Sequence, residues 1–177
     1  DVLNIVSSSV GSLTNPNKLS NSFKSIKNLN VAPNTIKQYL EYCVDSFLIQ
    51  KANRYDVKGK KYIDTPLKYY FTDIGLRNVR LGFRQQEESH IMENIIYNEL
   101  INRGYQVDVG MVSISEKNEN ENYIRKQLEV DFVCNLGYER IYIQSALNID
   151  EVEKKEQEER SLIRIDDSFR KVIVVRN

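Results

Sequence analysis

Apolar residues recur at three- and four-residue spacing through the first fifty positions. Residues 2–13 place Leu3, Val6, Val10 and Leu13 on one helical stripe. Asn15-Pro16 predicts a helix start, with Asn as the cap and Pro at the first helical position. The helix that follows is expected to bury Leu19, Phe23 and Ile26. After a short turn over Lys27–Val31, Ala32-Pro33-Asn34 opens a third helix, whose stripe is Ile36, Tyr39, Leu40, Cys43, Val44, Phe47 and Leu48. Leu48–Tyr55 reads as a strand and Lys58-Gly-Lys-Lys61 as a basic turn. Leu67–Thr72 reads as a second strand, rich in aromatic residues. Asp73–Gln86 is expected to link two domains, with Gly75 and Gly82 as breakers.

The pattern changes after that link. Ser89–Arg103 predicts a helix with Ile91, Ile95, Leu100 and Ile101 facing a core and Gly104 ending it. Tyr105–Ile114, Gln127–Leu136 and Arg140–Leu147 read as strands, the last two joined at Gly137. Ser115–Asn122 is polar, a surface loop or loose hairpin. Asp150–Ile165 predicts a charged helix with Val152, Leu162 and Ile163 apolar. Lys171–Val175 closes the chain as a buried strand. The fold class is therefore α+β or α/β. Three helices and a hairpin, a winged helix-turn-helix, fill residues 1–86 with the linker. A mixed-sheet domain fills residues 87–177.

Net charge is zero, but the two halves differ. Residues 1–86 carry thirteen Lys/Arg against six Asp/Glu, and residues 87–177 carry twelve against nineteen. Such asymmetry suggests different partners: a basic half that can face nucleic acid, and an acidic half that is repelled from it. The other reading is that the halves attract each other, or that the basic half docks on an acidic domain. No apolar run approaches the length that spans a bilayer, and no signal-peptide pattern is present, so a cytoplasmic location is expected. Cys43 and Cys134 lie in apolar segments and read as small hydrophobes of a reducing compartment. The chain begins at Asp1 inside an amphipathic pattern, which reads as a fragment of a longer protein.

Candidate chemistry centres on Leu128-Glu-Val-Asp-Phe-Val-Cys134 and Ile141-Tyr-Ile-Gln-Ser-Ala146. These resemble the core of a restriction-endonuclease-like nuclease of the PD-(D/E)xK type. In the intact motif an Asp ends one strand and Glu-x-Lys lies on the next, so that carboxylates hold Mg²⁺ beside the attacking water. Asp131 fits the first position. Gln144 and Ala146 stand where Glu and Lys belong, and Glu93 matches the helical acidic position. The resemblance implies a degenerate remnant of Glu93, Asp131 and Gln144 that holds no metal and does not cut.

The chain also resembles the C-terminal region, a domain of unknown function called DUF4143, of a bacterial and archaeal family of AAA-type P-loop ATPases. The match is carried by Pro33–Tyr42, Phe47-Leu-Ile49, Arg54–Lys60, Tyr69–Arg77, Glu93–Leu100, Glu129-Val-Asp-Phe132 and Tyr142-Ile-Gln144. No Gly-rich phosphate loop is present, so ATP and Mg²⁺ are implied only for an attached ATPase domain, and no cofactor is expected in this chain. The function expected is nucleic-acid recognition through the winged helix. Asn34, Thr35, Lys37 and Gln38 would meet base edges and backbone, while Arg54, Lys58, Lys60 and Lys61 of the wing would meet phosphates. Two alternatives stand beside it: docking on the chain's own ATPase domain or a partner protein, and an active metal-dependent nuclease.

Overall fold

The computed structural model describes residues 2–84, 87–117 and 121–176. The expected boundary at Gln86, and residues 118–120 of the expected Ser115–Asn122 loop, lie outside the described residues. Among the described residues the fold is mixed α+β, with six helices and six strands. The chain divides into two compact units, Asp1–Ala52 with Asp64–Asn98, and Asn53–Ile63 with Glu99–Asn177.

The first unit opens with α1 (Val2–Ser8), α2 (Pro16–Lys27) and α3 (Pro33–Asp45). The Asn15 side chain accepts from the Lys18 N–H at 2.8 Å and so caps α2 as its sequence predicts. Pro33 opens α3, where its missing N–H costs nothing. Leu19, Phe23, Ile36 and Leu40 are buried. Ile26, Tyr39 and Phe47 belong to the same stripes but are exposed, a departure from the expected core. Spacing tells which face a residue shares, and neighbours decide whether that face is covered.

Asp73–Gln86 is not merely a link. It contains α4 (Ile74–Arg80), because the Asp73 carboxylate accepts from the N–H groups of Gly75 at 2.6 Å and Leu76 at 3.2 Å. Gly75 makes room for that cap: a Cβ there would lie 2.9 Å from the Asp73 Oδ1. The unit also holds β1 (Ile49–Asp56) up to Ala52, β2 (Lys61–Phe71) from Asp64, and α5 (Glu88–Asn102) up to Asn98. Buried Asn94 takes the place of a neighbouring strand for Phe71. Its Oδ1 accepts from the Phe71 N–H and its Nδ2 donates to the Phe71 carbonyl, both at 2.8 Å. Tyr97 stacks on Tyr70 with ring centroids 4.2 Å apart.

The second unit adds β3 (Gln106–Lys117), β4 (Tyr123–Leu136), β5 (Glu139–Ala146), α6 (Val152–Ile163) and β6 (Arg170–Val175). Its mixed sheet runs β2-β1-β3-β4-β5-β6, the first two strands supplied here by the Asn53–Ile63 end of the hairpin. β1 pairs with β3 in parallel, with Arg54 opposite Val109 and Asp56 opposite Met111. β3, β4 and β5 are antiparallel neighbours, and β6 lies parallel to β5 after the α6 crossover. The parallel pairing makes the hairpin end part of this sheet, while bonds from α5 to β2 keep Asp64–Asn98 in the first unit. Val57, Val112, Val130, Val133, Tyr142 and Leu162 form the core. Val152 and Ile163 of α6 are exposed, as is Ile95 of α5, although their spacing suggests burial.

Candidate nucleic-acid interface

The first unit presents α3 as a polar face. Ile36 and Leu40 are buried beneath it, so Asn34, Lys37 and Gln38 point to solvent, with Thr35 half-buried. Glu41 lies on the same face and meets Lys37 at 4.0 Å, an exposed pair worth little in stability. Beside it Leu29, Tyr39 and Tyr42 line an apolar groove of about 530 Å³ with Phe23 beneath.

The basic turn belongs to the second unit. The Asp56 Oδ1 accepts from the Gly59 N–H at 2.9 Å and sets the turn. A Cβ at Gly59 would sit 2.5 Å from the Asp56 Oδ2, so a larger residue there must displace that carboxylate. The turn leaves Lys58, Lys60 and Lys61 exposed. Lys58 and Lys61 share a groove of about 570 Å³ with Arg125, Ser113 and Ser115 of β4 and β3. The Arg125 Nη2 donates to the Ser113 Oγ at 3.3 Å. Three cations facing two hydroxyls and one turn-bound carboxylate make a surface that can hold phosphate oxygens.

Arg54 is a different case. It is buried, and its Nη2 reaches the Met111 Sδ at 2.9 Å. Burial pushes its pKa down, with Glu129 opposing that shift. Of the four cations expected on the wing, Arg54 is therefore withdrawn from any phosphate. The missed cation is Arg125. It precedes the segment whose alternation marks a strand, and it joins the turn only through the β1–β3–β4 pairing.

Lys58 and Lys60 also border a second groove in this unit, of about 710 Å³, with Tyr55, Tyr138, Arg140 and Phe169. Arg140 lies over the rings of Tyr55 at 5.2 Å and Phe169 at 5.6 Å, and its Nε donates to the Asn135 Oδ1 at 2.7 Å. Burial opposes its charge, but hydrogen bonds with Tyr142 and Tyr55 outweigh it and raise the pKa.

The nuclease-like positions fall in both units. Asp131 and Gln144 meet in the second. The Asp131 Oδ2 accepts from the Ser145 N–H at 2.7 Å and the Ser145 hydroxyl at 2.9 Å, while the Asp131 N–H faces the Gln144 Oε1 at 3.4 Å. Gln144 also hydrogen-bonds Glu158 of α6. Burial and then the neighbouring Asp131 push the Glu158 carboxyl up, and Gln144 pulls it part of the way back. The Gln144 amide thus links the backbone of Asp131 to the carboxyl of Glu158 on the charged helix. Glu93 belongs to the first unit and is committed there. Its Oε1 accepts from the Lys68 Nζ at 2.8 Å and the Tyr70 hydroxyl at 2.5 Å. Among the described residues no group of three or more His, Cys, Asp or Glu could hold a metal ion. Among them, too, no helix is long and apolar enough to cross a membrane.

Comparison with known proteins matches one family model to part of the chain. Residues 1–87 match the model of a domain of unknown function, DUF8612. This match corrects the resemblance to DUF4143. The residues that carried that resemblance have general structural duties here: Pro33 opens a helix, Asp73 caps one and Tyr70 bonds a buried carboxylate. The attached AAA-type ATPase, with its ATP and Mg²⁺, was implied by that resemblance alone and loses its support with it.

The chain is 33% identical over 173 residues to an uncharacterized protein of Haemophilus influenzae, covering 98% of this chain and 39% of that protein. It is 31% identical over 141 residues to the uncharacterized protein MJ1544 of Methanocaldococcus jannaschii, covering 79% of this chain and 28% of that protein. The chain therefore spans less than two fifths of the length of these relatives. No solved structure matches it.

Proposed function

We propose that this region is a nucleic-acid recognition module. In this reading the first unit acts as a winged helix-turn-helix whose α3 offers Asn34, Thr35, Lys37 and Gln38 to base edges. The turn offers Lys58, Lys60 and Lys61 to phosphates. The second unit is a restriction-endonuclease-like sheet that binds and does not cut. The observation that carries the reading is the groove shared by Lys58, Lys61 and Arg125, where exposed cations converge with Ser113 and Ser115. Non-specific affinity for nucleic acid comes chiefly from such phosphate contacts and weakens as salt rises.

The test is a titration of the 177-residue chain with duplex DNA at two salt concentrations. Replacing Lys58, Lys61 and Arg125 together by Gln should weaken binding to every sequence alike. It should also flatten the salt dependence by up to about three phosphate contacts. Unchanged affinity and slope would favour a second reading, a protein-docking module. That alternative is supported by the apolar groove at Leu29, Tyr39 and Tyr42 in the first unit. Plasmid incubated with the chain and Mg²⁺ or Mn²⁺ should stay uncut. Cleavage that is lost on Asp131→Ala would overturn the non-cutting part of the reading.

A further inference from the structure

We propose that the groove bordered by Lys58, Lys60, Tyr138, Arg140 and Phe169 binds an unpaired nucleotide of a single-stranded nucleic acid. Its phosphate lies at the two lysines and its base stacks on Tyr138. This deepens the nucleic-acid reading and rests on it.

The first argument is aromatic exposure. Tyr138 follows Gly137 in the β4–β5 turn, and its side chain is fully exposed at 103% of the reference area. A ring held entirely in water contributes nothing to the core, yet it stands at the lip of a groove of about 710 Å³. Phe169, just before β6, is also exposed, at 40%. Every base has a π face, so such rings accept bases with little regard to sequence.

The second argument is the setting of the charges. Arg140 is fixed between Tyr55 and Phe169 and tied to Asn135, so the groove carries a cation already ordered before any ligand enters. Lys58 and Lys60 supply two exposed cations from the turn. Asp166 and Asp167 come from the segment after α6. Asp167 accepts from the Tyr142 hydroxyl at 2.6 Å and from the Phe169 N–H at 3.1 Å, which settles that wall. The groove sets its lysines on the turn and Asp166 and Asp167 on the segment after α6, with Glu139 and Arg140 adjacent on β5, and so discriminates between the ends of a nucleotide. Phosphate is drawn to the lysines, and a base edge bearing N–H donors is tolerated by the acids. A duplex keeps its bases stacked inside and cannot use Tyr138 in this way, so the site selects single strands.

The experiment measures anisotropy of labelled twelve-nucleotide single strands, a blunt duplex of the same sequence, and a mononucleotide, each with the 177-residue chain. Tyr138→Ala should weaken single-strand binding between about 5- and 150-fold, the range for loss of one stacked base, and leave duplex binding unchanged. Tyr138→Trp should restore it. Tyr138 is fully exposed, so both variants should melt with the parent chain. Single-strand binding indifferent to Tyr138→Ala, with duplex binding intact, would overturn this inference and spare the broader reading. Failure of the parent chain to bind either strand form would overturn both. Mononucleotide binding as tight as the oligomer's, and equally dependent on Tyr138, would overturn the strand as occupant in favour of a free nucleotide.

Discussion

Lys68 and Glu93 meet at 2.8 Å with both side chains almost wholly withdrawn from water, and Tyr70 donates to the same carboxylate oxygen. Gly11 closes one side, since a Cβ there would come within 3.1 Å of the Glu93 Oε2. Removing one partner of such a pair leaves a buried charge uncompensated. Lys68→Met should therefore cost about 3–5 kcal/mol in urea denaturation. Lys68→Met combined with Glu93→Gln should recover much of that loss, because the second change removes the stranded charge. A single-variant loss below about 1 kcal/mol would mean that water reaches the pair.

Glu158 makes a prediction about pH. Burial and the nearby Asp131 favour its neutral form, so its pKa is higher in the folded chain than in the unfolded one. A group of that kind supports folding fully below the unfolded pKa. Its contribution is lost as pH rises through the folded value, beyond which its charge is a burden. Glu158→Gln should therefore raise the melting temperature at neutral pH and narrow the gain between pH 7 and pH 4. A variant less stable than the parent at neutral pH would show that the charged carboxylate is needed by Gln144.

Much of the first unit was legible from local chemistry. Asn15-Pro16 and Ala32-Pro33 mark helix starts, and both helices begin there. α4 was legible in principle, for Asp73 is a capping residue, but the glycines that follow suggested a break. What stayed hidden depends on residues far apart in sequence. Lys68 finds Glu93 twenty-five positions away, and Arg54 finds Met111 fifty-seven away. The lysine turn of the candidate site was readable from Lys58-Gly-Lys-Lys61. Arg125, Tyr138, Arg140 and Phe169 were not, because only the parallel β1–β3 pairing brings the turn into their sheet.

Gln38 tests whether α3 reads sequence or only grips the backbone. It is exposed near the start of the helix with Asn34 and Lys37, where base edges are usually met. A Gln amide can pair with both hydrogen-bonding atoms of an adenine edge. Gln38→Ala should then cost roughly 1–3 kcal/mol at one base pair of a selected site and little on random duplex. A uniform loss across sequences would make α3 a positioning element.

Gly110 should tolerate no side chain. The register of β3 against β4 shifts between Asp108 and Gly110, which leaves an irregularity in the ladder. At Gly110 the two strands approach so closely that a Cβ would lie 2.8 Å from both the Val130 Cβ and the Val133 Cγ2. Val130 and Val133 are fully buried in the core of the second unit, so neither can swing away into water. The added methyl must be accommodated by moving backbone, and overpacking of this kind costs about 1–3 kcal/mol. Gly110→Ala should lower the denaturation midpoint accordingly. Adding Val133→Ala should return part of the loss, because the second change removes the clashing Cγ2, and the two effects should be non-additive. Simple additivity would place the strain in the backbone and not in the valines.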